Sequence, residues 1–167
     1  NILLAILSVV LLSLVFTPLL QTMVEPTGFS FNAYVNQSYP FAQAGIVAGT
    51  VITGIDGTTT KTFQEFSDEL EYRKPGDKIK VQTKDKEYPL VLAISPDNSR
   101  KPFLGIQDIK NEFEVKPAYA SGVWNIVYII IDWIAGLLRW LFLLSLGIGL
   151  FNLLPLPIVD GGRMAQV

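Results

Sequence analysis

Almost all of this chain's charge lies in its middle, and that constrains it more than any other feature. Of its 13 Lys and Arg residues, 11 fall between positions 25 and 116, as do 13 of its 15 Asp and Glu residues. The flanks are apolar. This asymmetry argues for a charged insert between two membrane-embedded ends, not for one globular domain. Net charge is -2 and the bases are interleaved with acids, so there is no electrostatic footprint for nucleic acid and none is expected as a partner. The chain has no cysteine, which removes disulfides and thiolate metal sites, and no histidine.

Residues 1–24 hold no charged side chain, and "ILLAILSVVLLSLVFTPLL" is long enough to cross a hydrocarbon core of roughly 30 Å as a helix, with Pro18 near its end. The second apolar region, residues 122–159, exceeds the roughly 20 residues of one span. Asp132 and Arg139 interrupt it, and Trp133 and Trp140 sit beside them like interfacial anchors. Two arrangements fit. One is a helix to about Leu138 and a second span from Trp140 into Pro155 and Pro157; the other is one long tilted helix in which Arg139 snorkels. Asp132 and Arg139 are seven apart, hence on one helical face, where an ion pair is conceivable.

Between the flanks the period changes to two. In "FSFNAYV", Phe29, Phe31, Ala33 and Val35 alternate with Ser30, Asn32 and Tyr34, as in a half-buried strand. "SYPFAQAGI" reads as a turn and a short helical piece closed by Gly45. "TVITGI" reads as a strand, Asp56-Gly57 as a tight hairpin turn and "TTT" as a short return strand. Thr62 and Glu65 have the spacing of a capping box before a helix whose apolar face carries Phe63, Phe66 and Leu70. Pro75-Gly76 ends it. "KIKVQT" and "YPLVLAI" form an antiparallel pair across "KDKE", and "FLGIQ" is a last short strand. The expectation is one small core with five or six strands and two helices.

The stretch "SYPFAQAGIVAGTVITGIDGTTTKTFQEF" followed by "YRKPGDKIKV" resembles a PDZ domain of the kind attached to bacterial and archaeal membrane proteases. Thr50 stands where that family usually has aspartate and Asp56 where it usually has asparagine. The resemblance implies a partly open β-barrel or sandwich with two helices, over residues 27–107, that binds a peptide segment as an added strand while backbone amides capture a terminal carboxylate. The candidate peptide-binding residues are Gly28, Phe29, Ser30 and Phe31. Leu104-Gly105-Ile106 is the rival, since circularly permuted members place that strand differently. Residues 108–121 are then a linker.

One stretch in the second apolar region combines a carboxylate with helix breakers, both costly in lipid: "NLLPLPIVDGG", residues 152–162. It resembles the N-x-x-P-x-P-x-x-D-G motif of site-2 proteases, the intramembrane zinc metalloendopeptidases, and matches every fixed position. A PDZ insert between two membrane segments is familiar in that family. The resemblance implies a multi-pass α-helical integral membrane protein with an inserted α+β PDZ domain, embedded in the lipid bilayer and cleaving a membrane protein substrate whose ends the PDZ domain recognises. Asp160 would be a zinc ligand. Asn152 would position substrate or stabilise the oxyanion, and Pro155, Pro157 and Gly161 would shape the backbone, freeing polar groups where they line a wet cavity.

The bland alternative makes Asp160 the N-cap of a following helix in a loop leaving the membrane. The family's remaining ligands come from H-E-x-x-H, and with no histidine in these 167 residues the expectation is a fragment, inactive alone, with that motif upstream of Asn1 and a further membrane segment beginning at residues 160–167. The competing function is a non-catalytic, membrane-tethered PDZ adaptor. A transporter or channel piece is a weaker third reading.

Overall fold

The computed structural model describes residues 2–153; Pro155, Pro157, Asp160, Gly161 and the segment 160–167 lie outside them. The chain divides into two units, Pro26–Glu114 and the paired flanks Asn1–Glu25 and Val115–Val167. In chain order the elements are α1 (Ile2–Leu11), a π-helical turn (Leu12–Phe16), α2 (Thr17–Met23), β1 (Val24–Tyr34), α3 (Pro40–Gln43), β2 (Ile52–Ile55) and β3 (Thr58–Thr59). Then come α4 (Phe63–Glu71), β4 (Lys78–Thr83), β5 (Glu87–Val91), β6 (Ala93–Ile94), β7 (Pro102–Phe103), β8 (Ile106–Val115), a 3-10 turn (Pro117–Tyr119) and α5 (Gly122–Leu153).

In the central unit β1 carries the core. Phe29 and Phe31 are fully buried, and each such ring stabilises by roughly 1.5–3 kcal/mol relative to exposure. Phe29 meets the rings of Phe63 and Phe66 edge to face at centroid distances of 5.1 and 5.0 Å, and Phe31 meets Phe41 at 5.5 Å. Ile46, Ile52, Ile55, Ile79, Val81, Leu90 and Leu104 complete the cluster. The main sheet runs β5-β4-β2-β1-β8, with β3 hairpinned onto β2. β6 and β7 form a separate two-stranded ribbon.

Turn chemistry holds these strands in register. Asp56 and Gly57 both take positive φ, 49° and 89°, which is the backbone of a type I′ hairpin. The Asp56 carboxylate also accepts from the Lys80 N–H at 2.8 Å and from the Arg73 guanidinium at 2.9 Å. An asparagine would offer one oxygen and no charge there, which accounts for aspartate at this turn. At α4 the capping box is modified: the Glu65 N–H donates to Thr62 Oγ1, but the Glu65 carboxylate reaches back to the N–H of Lys61 rather than of Thr62. The helix stops at Glu71, with Tyr72 as its C-cap, ahead of Pro75-Gly76.

Three expectations change. Ser30 and Tyr34 are not on a solvent face: Ser30 is buried and Tyr34 packs against the core, while Val35 is exposed. β1 is an interior strand, covered on both faces. "FLGIQ" is not one strand, because Gly105 turns the chain at φ 81° between β7 and β8. Finally, residues 108–115 are not linker; they form most of β8, a ten-residue strand beside β1.

The flanking unit is helical. Ile2–Met23 and Gly122–Asn152 are each long and apolar enough to cross a membrane, with mean hydropathy 2.7 and 2.0, and most of each lies unburied. Small residues line their shared side: Ala5, Ser8, Ala135 and Ser145 are buried, which lets helix backbones approach closely. The second apolar region is a single helix through Leu153, not two. Asp132 and Arg139 are exposed on it, and no ion pair joins them among the described residues. At the base of α2, Lys116 Nζ donates to the Thr22 carbonyl at 2.7 Å and its N–H to the Met23 carbonyl at 3.0 Å, satisfying the helix C-terminus with a cation.

Gly28 shows how tightly β1 is held. A Cβ at this position would run into the Ile52 carbonyl, and its φ of 151° disfavours a side chain as well. Gly28→Ala is expected to destabilise the central unit by about 2 kcal/mol, read as a lower urea midpoint with no change in slope.

Candidate functional site

A site that takes up an extended peptide needs a strand with a free edge. β1 has none, since β2 pairs with it on one side and β8 on the other. Gly28, Phe29, Ser30 and Phe31 therefore do not form a peptide-accepting edge. Their roles are the close β1–β2 approach, two core rings, and the Ser30 contact described below.

The sheet ends in two terminal strands, β5 and β8. β5 carries Pro89, opposite Lys80, and proline offers no N–H to an incoming strand. β8 is the better edge, and it begins at the rival stretch Leu104-Gly105-Ile106.

The corner before β8 is fixed from behind. The Leu104 carbonyl accepts from the Phe41 N–H at 3.3 Å and the Gly105 carbonyl from the Val35 N–H at 2.9 Å. A planar trans peptide directs its N–H opposite to its carbonyl, so the N–H groups of Gly105 and Ile106 face away from that support. Two successive backbone donors on one side form a shallow anion-binding nest. Glycine is required at the bend, because a Cβ on Gly105 would collide with the Tyr39 ring. That ring is itself seated edge to face on Phe103 at 4.9 Å.

Next to the corner is a cavity of about 250 Å³ lined by Ser67, Leu70, Glu71 and Arg73 from α4 and its C-terminal turn, and by Arg100, Lys101 and Pro102. Arg73 is paired with Asp56. Arg100 and Lys101 have no ion-pair partner among the described residues, so the rim favours an anion despite Glu71. Leu70 and Pro102 give an apolar side. At the other end of α4, the Phe63 N–H donates to Asn111 Oδ1 of β8 at 2.8 Å. The helix is thus tied to β8 at its first residue, while its C-terminal turn lines the basic cavity.

β8 is not uniform along its length. Ile106 is in the core and Ile109 packs against it, although residues three apart on a regular strand face opposite sides. Asp108, at φ 54°, absorbs the extra residue as a bulge, and its carboxylate accepts from Asn32 Nδ2 at 3.0 Å. Further along, Ser30 Oγ donates to Glu112 Oε1 at 2.5 Å, and Lys110 Nζ lies 3.2 Å from the same oxygen. The Ser30 hydroxyl holds the Glu112 carboxyl below its ordinary range, with Lys110 assisting and partial burial opposing. This pair ties β8 to the buried face of β1.

With this geometry in view, residues 19–94 match the family model for the PDZ domain. The chain carries a PDZ domain. The match stops short of β8, whose pairing with β1 adds the final strand of the domain's sheet. Among solved structures, the PDZ domain of an SdrC-like protein from Listeria monocytogenes is 31% identical, covering 48% of this chain and 86% of that one with a TM-score of 0.39. Its counterpart from Listeria innocua is also 31% identical, covering 48% and 92% with a TM-score of 0.42. A protein of Geobacillus thermodenitrificans is 25% identical, covering 48% and 97% with a TM-score of 0.41. No curated protein matches the chain.

Sequence reasoning missed Ser67, Arg73, Arg100 and Lys101 as cavity residues and placed Leu70 only on the core side of α4. The readable signal was the basic pair in "SRKPFLGI", directly ahead of the Gly105 bend. Of the motif residues, Asn152 is half-buried in the last turn of α5. Among the described residues no group of three or more His, Cys, Asp or Glu is placed to hold a metal.

Because the folded Glu112 carboxyl titrates below its unfolded value, its contribution is complete above roughly pH 4.3 and is lost as pH falls through the lower folded value. Ser30→Ala is expected to cost about 1 kcal/mol near neutrality. That difference from the parent should shrink toward zero in urea titrations repeated at progressively more acidic pH.

Proposed function

We propose that the PDZ domain recognises the carboxyl-terminal end of an extended peptide, which adds to β8 in the groove beside α4. The observation that carries this reading is the coincidence of one free strand edge, a bend presenting successive backbone N–H groups, and a basic cavity at the same end. Main-chain pairing along β8 supplies affinity, Leu70 and Pro102 receive an apolar terminal side chain, and the bend with Arg100 and Lys101 receives the carboxylate. Exposed charges contribute modestly, so Arg100→Glu with Lys101→Glu is expected to weaken a free-acid peptide about tenfold. Capping that peptide as an amide should weaken its binding to the parent protein and nearly erase its sensitivity to the double substitution. Equal binding of acid and amide forms would remove the carboxylate from the reading.

At a finer level, we propose that the chain is the PDZ-bearing part of a multi-pass intramembrane metalloprotease of the site-2 type, with the groove screening substrate ends. Two features support this: Asn152, Pro155, Pro157, Asp160 and Gly161 at the spacing that family uses, and two apolar helices flanking the domain. The residues present do not fit a complete zinc site. The 167 residues include no histidine and no cysteine, so Asp160 is the one ligand the resemblance assigns here and the others must come from residues beyond these. The same lack of histidine favours a second reading, a membrane-tethered peptide-binding adaptor. Metal analysis of the intact protein separates them. The protease holds stoichiometric zinc that Asp160→Asn weakens, with loss of cleavage and retention of fold; the adaptor holds none and is indifferent to the substitution.

A further inference from the structure

We infer that Asn111 is a latch across the far end of the groove, and that it limits how much of a peptide the domain takes up. The inference rests on the reading of the β8–α4 groove as a peptide site. Its starting point is the hydrogen bond from the Phe63 N–H to Asn111 Oδ1, 2.8 Å long, which runs from the first residue of α4 to β8. A strand laid along the β8 edge lies between these two elements, so it meets the Asn111 side chain as a bar across its path.

The length of the groove follows from the elements that wall it. α4 has nine residues, or roughly 13 Å of helix at 1.5 Å per residue. An extended peptide rises about 3.3 Å per residue, so about four residues fit between the basic cavity and the latch.

The latch has a local cause. The first turn of a helix leaves N–H groups without intrahelical partners. Thr62 Oγ1 serves Glu65, and Glu65 serves Lys61, so neither cap covers Phe63. Asn111 does. Opening the groove for a longer peptide therefore exposes a helix N–H that only this side chain satisfies, and the closed form is favoured until a ligand compensates.

The test uses the full chain in detergent micelles and fluorescein-labelled peptides with free carboxyl termini. A carboxyl-terminal library with apolar last residues supplies the tightest binder, which is then made as four-residue and ten-residue versions. For the parent protein the two versions are expected to bind within about threefold of each other. Asn111→Ala is expected to leave the four-residue affinity unchanged and to improve the ten-residue peptide by about tenfold, the gain from two or three further main-chain hydrogen bonds. Asn111→Asp keeps an acceptor for the Phe63 N–H and should behave like the parent.

Unchanged four-residue binding shows that the alanine variant is folded. If the parent already binds the longer peptide tenfold better, or if Asn111→Ala leaves the ratio as it was, the latch is refuted while the peptide site stands. If no library peptide binds, the peptide site itself falls and the latch with it.

Discussion

Burial of Phe29 and Phe31 from a single strand decides where everything else in the central domain can be. Both rings face one side of β1 and gather Phe41, Phe63 and Phe66 around them. Holding the strand at that depth requires its main-chain groups to be paired on both edges, because buried N–H and C=O groups without partners are costly. β2 serves one edge and β8 the other. The opposite face cannot be left in water either, so Ser30 is buried there and donates to Glu112. Making β1 the interior strand passes the role of edge strand to β8. The position of the free edge is a consequence of the core.

The same logic explains which features were legible in the sequence. Local signals translated directly: the Asp56-Gly57 hairpin, the α4 cap at Thr62 and the antiparallel pair around "KDKE" each depend on neighbouring residues. What did not translate depends on residues far apart. β8 reads as weakly amphipathic, "IQDIKNEFEV", because its bulge at Asp108 breaks period two and its partner strand lies about 80 positions earlier. A strand rich in charge beside a Pro-containing loop resembles a linker until the pairing is known. The edge strand was misplaced for the same reason: from the residues alone nothing distinguishes an interior strand from an edge. Gly28 read as a peptide-binding residue and Gly105 as part of one strand, yet one permits close strand approach and the other permits a bend beneath the Tyr39 ring.

In the flanking unit the sequence left two arrangements open, and the helix is continuous. At 32 residues α5 is about 48 Å long, well beyond the roughly 30 Å of a hydrocarbon core. A helix of that length holds Asp132 and Arg139 without a break, because its own backbone bonds stay intact and only two side chains need polar surroundings. Both charges are exposed, beside Trp133 and Trp140, although buried Ala135 lies three residues from one and four from the other on the same side of the helix. Intramembrane charges usually face protein or water rather than lipid.

Continuity of the chain adds a last constraint. The chain enters the PDZ domain through β1, after α2, and leaves it through β8, ahead of α5. These two strands pair with one another, and Lys116 closes the gap behind them by bonding to Thr22 and Met23. One of them is also the strand to which we assign peptide addition. A ligand that engages β8 therefore acts on the strand that leads, within seven residues, into the helix bearing Asn152. Sequence order alone makes β8 the shortest covalent route from peptide recognition to the motif region, whether that region holds a protease centre or only an anchor.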